Sequence, residues 1–203
     1  MAATLFYVHD PMCSWCWGYK PTWDRVKQQL PGNIALEYVV GGLAPDTDET
    51  MPESLQQNIE SYWHKIQDQL GTAFNFDFWR INTPRRSTYE SCRAVIAADK
   101  QGMAEQMIEA IQRAYYLEAR NPSERKVLVD IARESGLDVA DFLADLDEAD
   151  TEIRLLDDIA MARRWQVPGF PALVLIVDDQ LHHIAVDYKD ADKTLAEITA
   201  LLK

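Results

Sequence analysis

The stretch that decides the fold is Cys13-Ser14-Trp15-Cys16, two cysteines spaced three apart, shortly after the apolar run Leu5-Phe6-Tyr7-Val8. The apolar run predicts a strand, and the apolar positions that recur at helical spacing from Trp17 to Leu30 predict a helix. Cys13 then lies at the first turn of that helix, where free backbone N–H groups stabilise a thiolate. Cys16 follows one turn later, close enough to form a disulfide with Cys13.

A cysteine pair of this spacing serves dithiol chemistry, zinc binding or neither. A structural zinc ion needs four ligands, and besides the pair the chain offers only Cys92 and four scattered histidines. Dithiol chemistry is therefore favoured, and no metal site is expected. Cys13, with its sulfur facing solvent, is the expected nucleophile, and Cys16, pointing inward, is the expected resolving thiol. Cys92 lies within a predicted helix, where a buried structural role is commoner than a regulatory one.

Composition argues against two classes of partner. The chain has 203 residues and a formal net charge of −13, whereas nucleic acids and anionic membranes both favour basic patches. No apolar stretch approaches the ~20 residues that a membrane span requires, and the chain as given shows no secretory signal. We therefore expect a cytoplasmic protein that binds neither nucleic acid nor membrane. Its paired cysteines would cycle or stay reduced in that compartment.

The rest of the chain divides into three parts. Ile34 to Val40 predicts a second strand, parallel to the first because a helix joins the two. From Met51 to about Gln166, apolar residues recur every three or four positions, which predicts an all-helical block. Its predicted helices are Glu53–Leu70, Ser87–Lys100, Met103–Leu117, Glu124–Ser135, Val139–Leu146 and Ala149–Trp165. Two strands and a closing helix are predicted after it: Ala172–Val177, Gln180–Val186 and Lys193–Leu202.

This order of elements, β-α-β, a helical block and then β-β-α, with Cys-x-x-Cys at the first strand-to-helix turn, resembles the thioredoxin-like α/β fold. The large all-helical insertion between the two halves resembles the DsbA-like subgroup. On this resemblance, residues 1–45 and 166–203 form the thioredoxin-like domain, and residues 46–165 form the helical insertion domain. Pro21, five residues after Cys16, and Phe170-Pro171, directly before the third strand, also match the family pattern.

The stretch from Asp10 to Gly18 is most similar to a cytoplasmic branch described as predicted protein-disulfide isomerases, related to FrnE and to 2-hydroxychromene-2-carboxylate isomerases. The resemblance implies a thiol–disulfide oxidoreductase or disulfide isomerase that acts through Cys13 and Cys16 on protein or peptide disulfides. It implies no bound cofactor, and thioredoxin or glutathione as the redox partner. Glutathione is also a candidate co-substrate, and Arg85, Arg86 and Arg93 could bind its carboxylates, although solvated arginines are commoner.

The resemblance also implies a substrate-binding surface around the cysteines. The Phe170–Pro171 bond is expected to be cis, and the loop containing Gly169, Phe170 and Pro171 is expected to face the cysteines. A cis bond would turn the Phe170 backbone outward, so that it pairs with an extended substrate. Trp15 stands between the cysteines and would offer apolar area to a substrate.

Three residues before Cys13 are expected to modulate its chemistry: His9, Asp10 and Pro11. A protonated His9 would favour the Cys13 thiolate by its charge, whereas the carboxylate of Asp10 would oppose a neighbouring thiolate. His9 stands at the end of a predicted strand, so it could equally serve only to satisfy a backbone group. Which of the two charges dominates is left open at this point.

Two alternative functions remain open. Glutathione-dependent isomerases and transferases of the chromene-isomerase and kappa classes resemble this architecture, but they typically lack the second cysteine that this chain retains as Cys16. A non-catalytic polypeptide-binding module would use the helical block and exposed tryptophans to hold other chains. Persistence of activity in a Cys13→Ser variant would favour the binding module, and its loss would reject it.

Overall fold

The structure, a computed structural model, describes residues 3–202, in which one sheet of four strands is combined with nine helices. The strands are β1 (Ala3–His9), β2 (Ile34–Val40), β3 (Ala172–Val177) and β4 (Gln180–Ile184). The helices are α1 (Ser14–Gln29), α2 (Glu53–Leu70), α3 (Phe78–Ile81), α4 (Tyr89–Asp99), α5 (Ala104–Tyr116), α6 (Arg125–Glu134), α7 (Val139–Asp147), α8 (Ala149–Arg164) and α9 (Ala191–Ala200). The predicted α/β fold with a helical insertion between its halves is confirmed.

The sheet has the strand order β2-β1-β3-β4. β1 runs parallel to β2 and antiparallel to β3, and β4 is antiparallel to β3. Val8 near the end of β1 stands opposite Val39 and opposite Ala172 at the start of β3. The loop that leaves β1 and the loop that enters β3 therefore meet at the same end of the two central strands. This register brings the cysteine pair and Pro171 together.

Helix α1 packs one face against the sheet. Its buried residues include Cys16, Tyr19, Trp23 and Val26, which recur at the spacing of a single helix face. Tyr19, Trp23 and Val26 share a core with strand residues such as Leu5 and Leu175. Cys16 points inward because it belongs to this buried face. Pro21 lies inside the helix, as the resemblance implied.

The helical block forms as predicted, with helix ends within about two residues of the expected positions. The exception is α3, a single turn that is too short to show a repeating pattern in sequence. The core of the block is aromatic, and Trp63 at its centre contacts the rings of Phe74, Phe78 and Tyr115. No helix in the described part of the chain is long and apolar enough to cross a membrane.

The two halves of the chain share hydrophobic packing. Met12 lies in the loop between β1 and α1, residues 10–13, which we call the cysteine loop. Met12 and Val40 from β2 belong to the same buried cluster as Trp63 of the helical block. The Asp158 carboxylate on α8 accepts a hydrogen bond from the Val40 backbone N–H at 3.1 Å. The division at residues 46 and 165 stays a prediction, because these contacts join the two parts across it.

Candidate active site

Cys13 is the N-cap residue of α1, at the meeting point of the two loops. Its backbone N–H donates to the Asp10 carbonyl at 3.0 Å, and its carbonyl accepts from the Trp17 N–H at 3.1 Å. Its thiol donates to the Phe170 carbonyl, with 3.4 Å between sulfur and oxygen. Only 6% of Cys13 is exposed. The expectation that its sulfur faces solvent is therefore wrong in this reduced state, since the loop before β3 lies against it.

Cys16 lies one turn further along α1 and is fully buried. Burial raises the pKa of its thiol well above the ordinary value, and the neighbouring Cys13 raises it further through a hydrogen bond and its charge. The charge of the Asp10 carboxylate acts in the same direction. Both cysteines are free thiols. Cys16 is consequently a protonated inner thiol at neutral pH, whereas the outer Cys13 keeps 6% of its surface exposed.

The loop before β3 completes the site. The Phe170–Pro171 peptide bond is cis, as the resemblance implied. The Phe170 carbonyl, which was expected to face a substrate, is occupied by the Cys13 thiol instead. Gly169 is exposed and, together with Pro171 and His183, lines an open cavity of about 410 Å³. Neither Cys13 nor Trp15 lines this cavity.

Trp15 lies half-buried at the surface of the site. Its ring meets the edge of the Tyr188 ring at a centroid distance of 5.3 Å. The Lys65 ammonium on α2 lies 5.9 Å from the Trp15 ring centroid. Burial, followed by the charges of Cys16 and Cys13, raises the pKa of Tyr188. Tyr188 and Lys65 are thus neighbours of the site that the sequence did not identify, because both are distant from the cysteines along the chain.

Tyr7 on β1 is a further neighbour that sequence reasoning missed. Burial raises the pKa of its hydroxyl well above 10.0, and the charges of both cysteines and a hydrogen bond with Cys16 add to the effect. The Tyr7 ring stacks on Trp23 with a centroid distance of 4.3 Å. Tyr7 lies on the same face of β1 as Leu5 and His9, because side chains in a strand repeat every two residues. This period was the one signal in the sequence that could have identified Tyr7.

His9 is fully buried, and its ring stacks on Tyr7 with a centroid distance of 5.2 Å. Neither ring nitrogen has a hydrogen-bond partner among the residues that the structure describes. Burial lowers the pKa of His9 from 6.5 to about 3. His9 is therefore neutral at pH 7. The expectation that a protonated His9 favours the Cys13 thiolate by its charge is wrong. It does not satisfy a backbone group either, and acts as an aromatic ring in the packing.

Asp10 anchors the cysteine loop. Its buried carboxylate accepts hydrogen bonds from the Met12 N–H at 2.8 Å, the Leu43 N–H at 2.8 Å and the Thr88 hydroxyl at 2.7 Å. Burial raises the pKa of this carboxyl, and the hydrogen bonds counteract the rise. Pro11 follows at the second position of the turn that closes between the Asp10 carbonyl and the Cys13 N–H, a position that favours proline. Asp10 and Pro11 thus shape the loop that holds Cys13.

Cys92 is buried in α4 and donates its thiol hydrogen to the Asp10 carboxylate, with 3.6 Å between sulfur and oxygen. Burial raises the pKa of this thiol well above the ordinary value, and the charge of Asp10 raises it further. This environment fits the structural role expected for Cys92. Its distance from Asp10 along the chain hid the contact from sequence reasoning.

The three arginines considered for a glutathione carboxylate differ in their surroundings. Arg85 pairs with Glu124 at 2.8 Å, and Arg93 pairs with Glu90 at 2.7 Å as well as with Asp46 and Glu152. Arg86 forms no ion pair within residues 3–202, and its charge lowers the pKa of the Asp10 carboxyl. Of the three guanidinium groups, only that of Arg86 has no carboxylate partner among residues 3–202. Within the same range, no group of three or more His, Cys, Asp or Glu side chains could hold a metal ion.

Comparison with known proteins identifies the family. The thioredoxin family model matches residues 6–194. Curated relatives include the ClpXP adapter protein SpxH of Halalkalibacterium halodurans, which is 22% identical over 176 residues. That match covers 84% of this chain and 57% of the relative, so the chain spans little more than half the relative's length.

Solved structures match over nearly the whole chain. The cytosolic disulfide reductase DsbM from Pseudomonas aeruginosa is 26% identical with a TM-score of 0.82, and 98% of each chain is covered. A candidate protein disulfide isomerase from Nitrosomonas europaea is 24% identical with a TM-score of 0.87, and the match covers 100% of this chain and 98% of that one. DsbM is also known in a structure with GSH. The chain belongs to the thioredoxin family, and its fold is that of the DsbA-like disulfide oxidoreductases.

Proposed function

We propose that this protein is a thiol–disulfide oxidoreductase, working as a reductase or isomerase on protein and peptide disulfides through Cys13 and Cys16. The observation that carries the proposal is the pair of free thiols at the start of α1. The outer thiol lies against the Phe170 carbonyl, and the inner thiol is fully buried. Such a pair supplies an attacking sulfur at a helix N-terminus and a second sulfur within one turn of it.

In the reductive direction, the Cys13 thiolate attacks one sulfur of a substrate disulfide. The substrate S–S bond breaks, a disulfide forms between Cys13 and the attacked sulfur, and the other substrate sulfur leaves and takes up a proton. The Cys16 thiol then loses its proton and attacks the Cys13 sulfur, which releases the second substrate thiol. The substrate gains two electrons, and the Cys13–Cys16 pair loses two as it becomes a disulfide.

The substrate would approach Cys13 between Trp15 and the loop of Gly169, Phe170 and Pro171. Trp15 offers apolar ring surface, and Gly169 on the loop is exposed. When Cys13 enters a mixed disulfide it has no thiol hydrogen to donate, so the Phe170 carbonyl is released. That carbonyl can then accept a hydrogen bond from an extended substrate backbone.

Glutathione or thioredoxin would regenerate the dithiol. Two thiols of the partner become one disulfide, while the Cys13–Cys16 disulfide takes up two electrons and two protons. The structure of DsbM with GSH supports glutathione as the partner and co-substrate of this chain. A cytoplasmic location belongs to the same proposal, since DsbM is named as a cytosolic reductase. Electrons pass only between sulfur atoms, so the proposal needs no bound cofactor.

A Cys16→Ser variant tests the proposed roles. Without the resolving thiol, the variant should stop at the mixed disulfide when it is mixed with glutathione disulfide. Mass spectrometry should then find one glutathione adduct on Cys13. A Cys13→Ser variant should form no such adduct, and Cys92→Ser, which keeps a donor to Asp10, should turn over like the wild type. Absence of an adduct in Cys16→Ser, under conditions where the wild type turns over, would overturn the mechanism.

A polypeptide-binding adapter is the second candidate function. Curated relatives from Halalkalibacterium halodurans and Bacillus subtilis, 22% and 24% identical, are named ClpXP adapter proteins. An adapter needs a binding surface and no redox cycle. A wild-type protein that reduces no disulfide, combined with a Cys13→Ser variant that binds polypeptides as the wild type does, would favour this function over the first.

A further inference from the structure

The lysine beside Trp15 has no acidic partner within the part of the chain that the structure describes. Lys65 is exposed on α2, and its ammonium lies 5.9 Å from the Trp15 ring centroid. It forms no ion pair with any carboxylate of residues 3–202. The chain as a whole carries a net charge of −13, with 33 acidic residues against 20 basic ones. The unpaired Lys65 stands next to Trp15, which lies between the two cysteines.

The two lysines of α1 differ from Lys65 in this respect. Lys20 pairs with Asp24 at 2.7 Å, and Lys27 pairs with Glu105 at 2.9 Å. Asp68 lies three residues after Lys65 on α2, at a spacing that permits an ion pair, yet the two do not pair. The Lys65 ammonium lies instead over the face of the Trp15 ring, a favourable position for a cation. A free positive charge therefore lies beside Trp15, two residues after Cys13 along the chain.

We propose that Lys65, held over Trp15, selects disulfides that carry carboxylates beside the S–S bond, as in glutathione disulfide. This inference rests on the proposed disulfide exchange at Cys13. A substrate carboxylate that reaches Lys65 meets a cation that pairs with no acidic side chain of residues 3–202. Neutral or cationic disulfides gain nothing from this charge.

Three small disulfides of different charge test the inference: glutathione disulfide, the neutral bis(2-hydroxyethyl) disulfide and the cationic cystamine. The measurement is kcat/KM for each substrate with the wild type and with Lys65→Met, Lys65→Glu and Lys126→Glu. Lys126 is the matched control, because it is an exposed lysine on α6 without an ion pair in the described residues. Lys126→Glu changes the net charge as much as Lys65→Glu does, but it does so on α6, whereas Lys65 lies beside Trp15. Methionine keeps an apolar chain over Trp15 without the charge.

Lys65→Met should lower kcat/KM for glutathione disulfide about three- to fivefold, the effect of one exposed ion pair, and leave the neutral substrate unchanged. Lys65→Glu should lower kcat/KM for glutathione disulfide about tenfold or more, because attraction of its carboxylates becomes repulsion. The same variant should raise kcat/KM for the cationic cystamine. Lys126→Glu should behave like the wild type, and salt should narrow the differences. Equal substrate ratios in Lys65→Glu and Lys126→Glu would overturn the inference and leave the proposed function standing. A wild type that reduces none of the three disulfides would overturn both.

Discussion

At the scale of single residues, Gly41 determines where the loop before β3 can lie. A Cβ atom at this position would stand 1.9 Å from Cζ of Phe170, far inside any real contact. The Phe170 ring therefore rests directly on the backbone of residue 41. The Phe170 carbonyl accepts the Cys13 thiol hydrogen, so the packing of this ring and the environment of the sulfur are linked.

A Gly41→Ala variant should displace the Phe170 ring. We expect a loss of about 1–3 kcal/mol in the free energy of unfolding, as for other overpacked sites, and faster alkylation of Cys13 because its cover has moved. A second substitution, Phe170→Ala, should recover part of the lost stability by restoring room. Gly32→Ala is the matched control, since no described atom lies within 4 Å of a Cβ there. Equal stability and equal alkylation rates in Gly41→Ala and Gly32→Ala would contradict the prediction.

His9 should make the stability depend on pH. Its pKa is lowered to about 3 in the folded state, from 6.5 in a solvated chain. Because the unfolded chain binds the proton more readily, the contribution of neutral His9 is complete above pH 6.5 and is lost as the pH falls towards 3. The slope from this one group is at most about 1.4 kcal/mol per pH unit.

A His9→Phe variant should keep the stacking on Tyr7 but remove the titration. Denaturant unfolding between pH 3 and 7 should show a flatter dependence than in the wild type, while His183→Phe, at an exposed histidine, should retain the wild-type slope. Identical slopes in His9→Phe and the wild type would show that His9 does not resist protonation in the fold.

At the scale of helices and strands, α8 holds the end of β2 in place. The Asp158 carboxylate is buried and accepts the Val40 N–H at 3.1 Å, on the edge strand that leads to Gly41. Arg154, one turn earlier on α8, donates to the same carboxylate at 3.2 Å. One side chain of the helical insertion thus satisfies a backbone donor of the sheet.

Asp158→Ala should destabilise the protein by about 1–3 kcal/mol, because the buried Val40 N–H loses its acceptor. Its neighbour Asp157 is exposed, so Asp157→Ala should change the stability by no more than about 0.5 kcal/mol. Chemical denaturation of both variants compares them directly. If the free energies of unfolding of the two variants differ by less than about 0.5 kcal/mol, water replaces the carboxylate as the acceptor of the Val40 N–H at little cost.

At the scale of the whole molecule, the helical block should unfold together with the sheet half, which is the four-stranded sheet with α1 and α9. Met12 and Val40 share a core with Trp63, and the Tyr38 hydroxyl of β2 donates to Glu105 of α5 at 2.7 Å. We therefore expect one cooperative transition, with calorimetry and circular dichroism giving the same midpoint.

A Trp63→Ala variant tests this coupling, because Trp63 is fully buried in the helical block. The cavity should cost about 3–5 kcal/mol, and the single transition should move down by roughly 6–20 °C. Tyr62, the preceding residue, is 42% exposed, so Tyr62→Ala should leave the midpoint nearly unchanged. Two separate transitions in Trp63→Ala, with the sheet half melting at the wild-type temperature, would show that the halves are independent.

The local pattern of the chain determined the order of helices and strands. Runs such as Ile34–Val40 and Glu53–Leu70 carry complete periods of two or of 3.6 residues, and the structure reproduces their bounds. The start of α9 was placed two residues late, because Asp190, whose side chain caps the helix by accepting the Asp192 N–H, was not read as an N-cap. The spacing of Cys13 and Cys16 likewise indicated the site, since one turn of helix separates them whatever surrounds it.

Only the tertiary structure decided what surrounds the two sulfur atoms. The neutral state of His9, the cover over Cys13 and the link from Asp10 to Thr88 depend on residues that are distant in sequence. Burial and charge act through space, and no local period records them. The sequence alone therefore determined which residues are candidates for the proposed chemistry, and the packing of the two halves decided their protonation, their exposure and their neighbours.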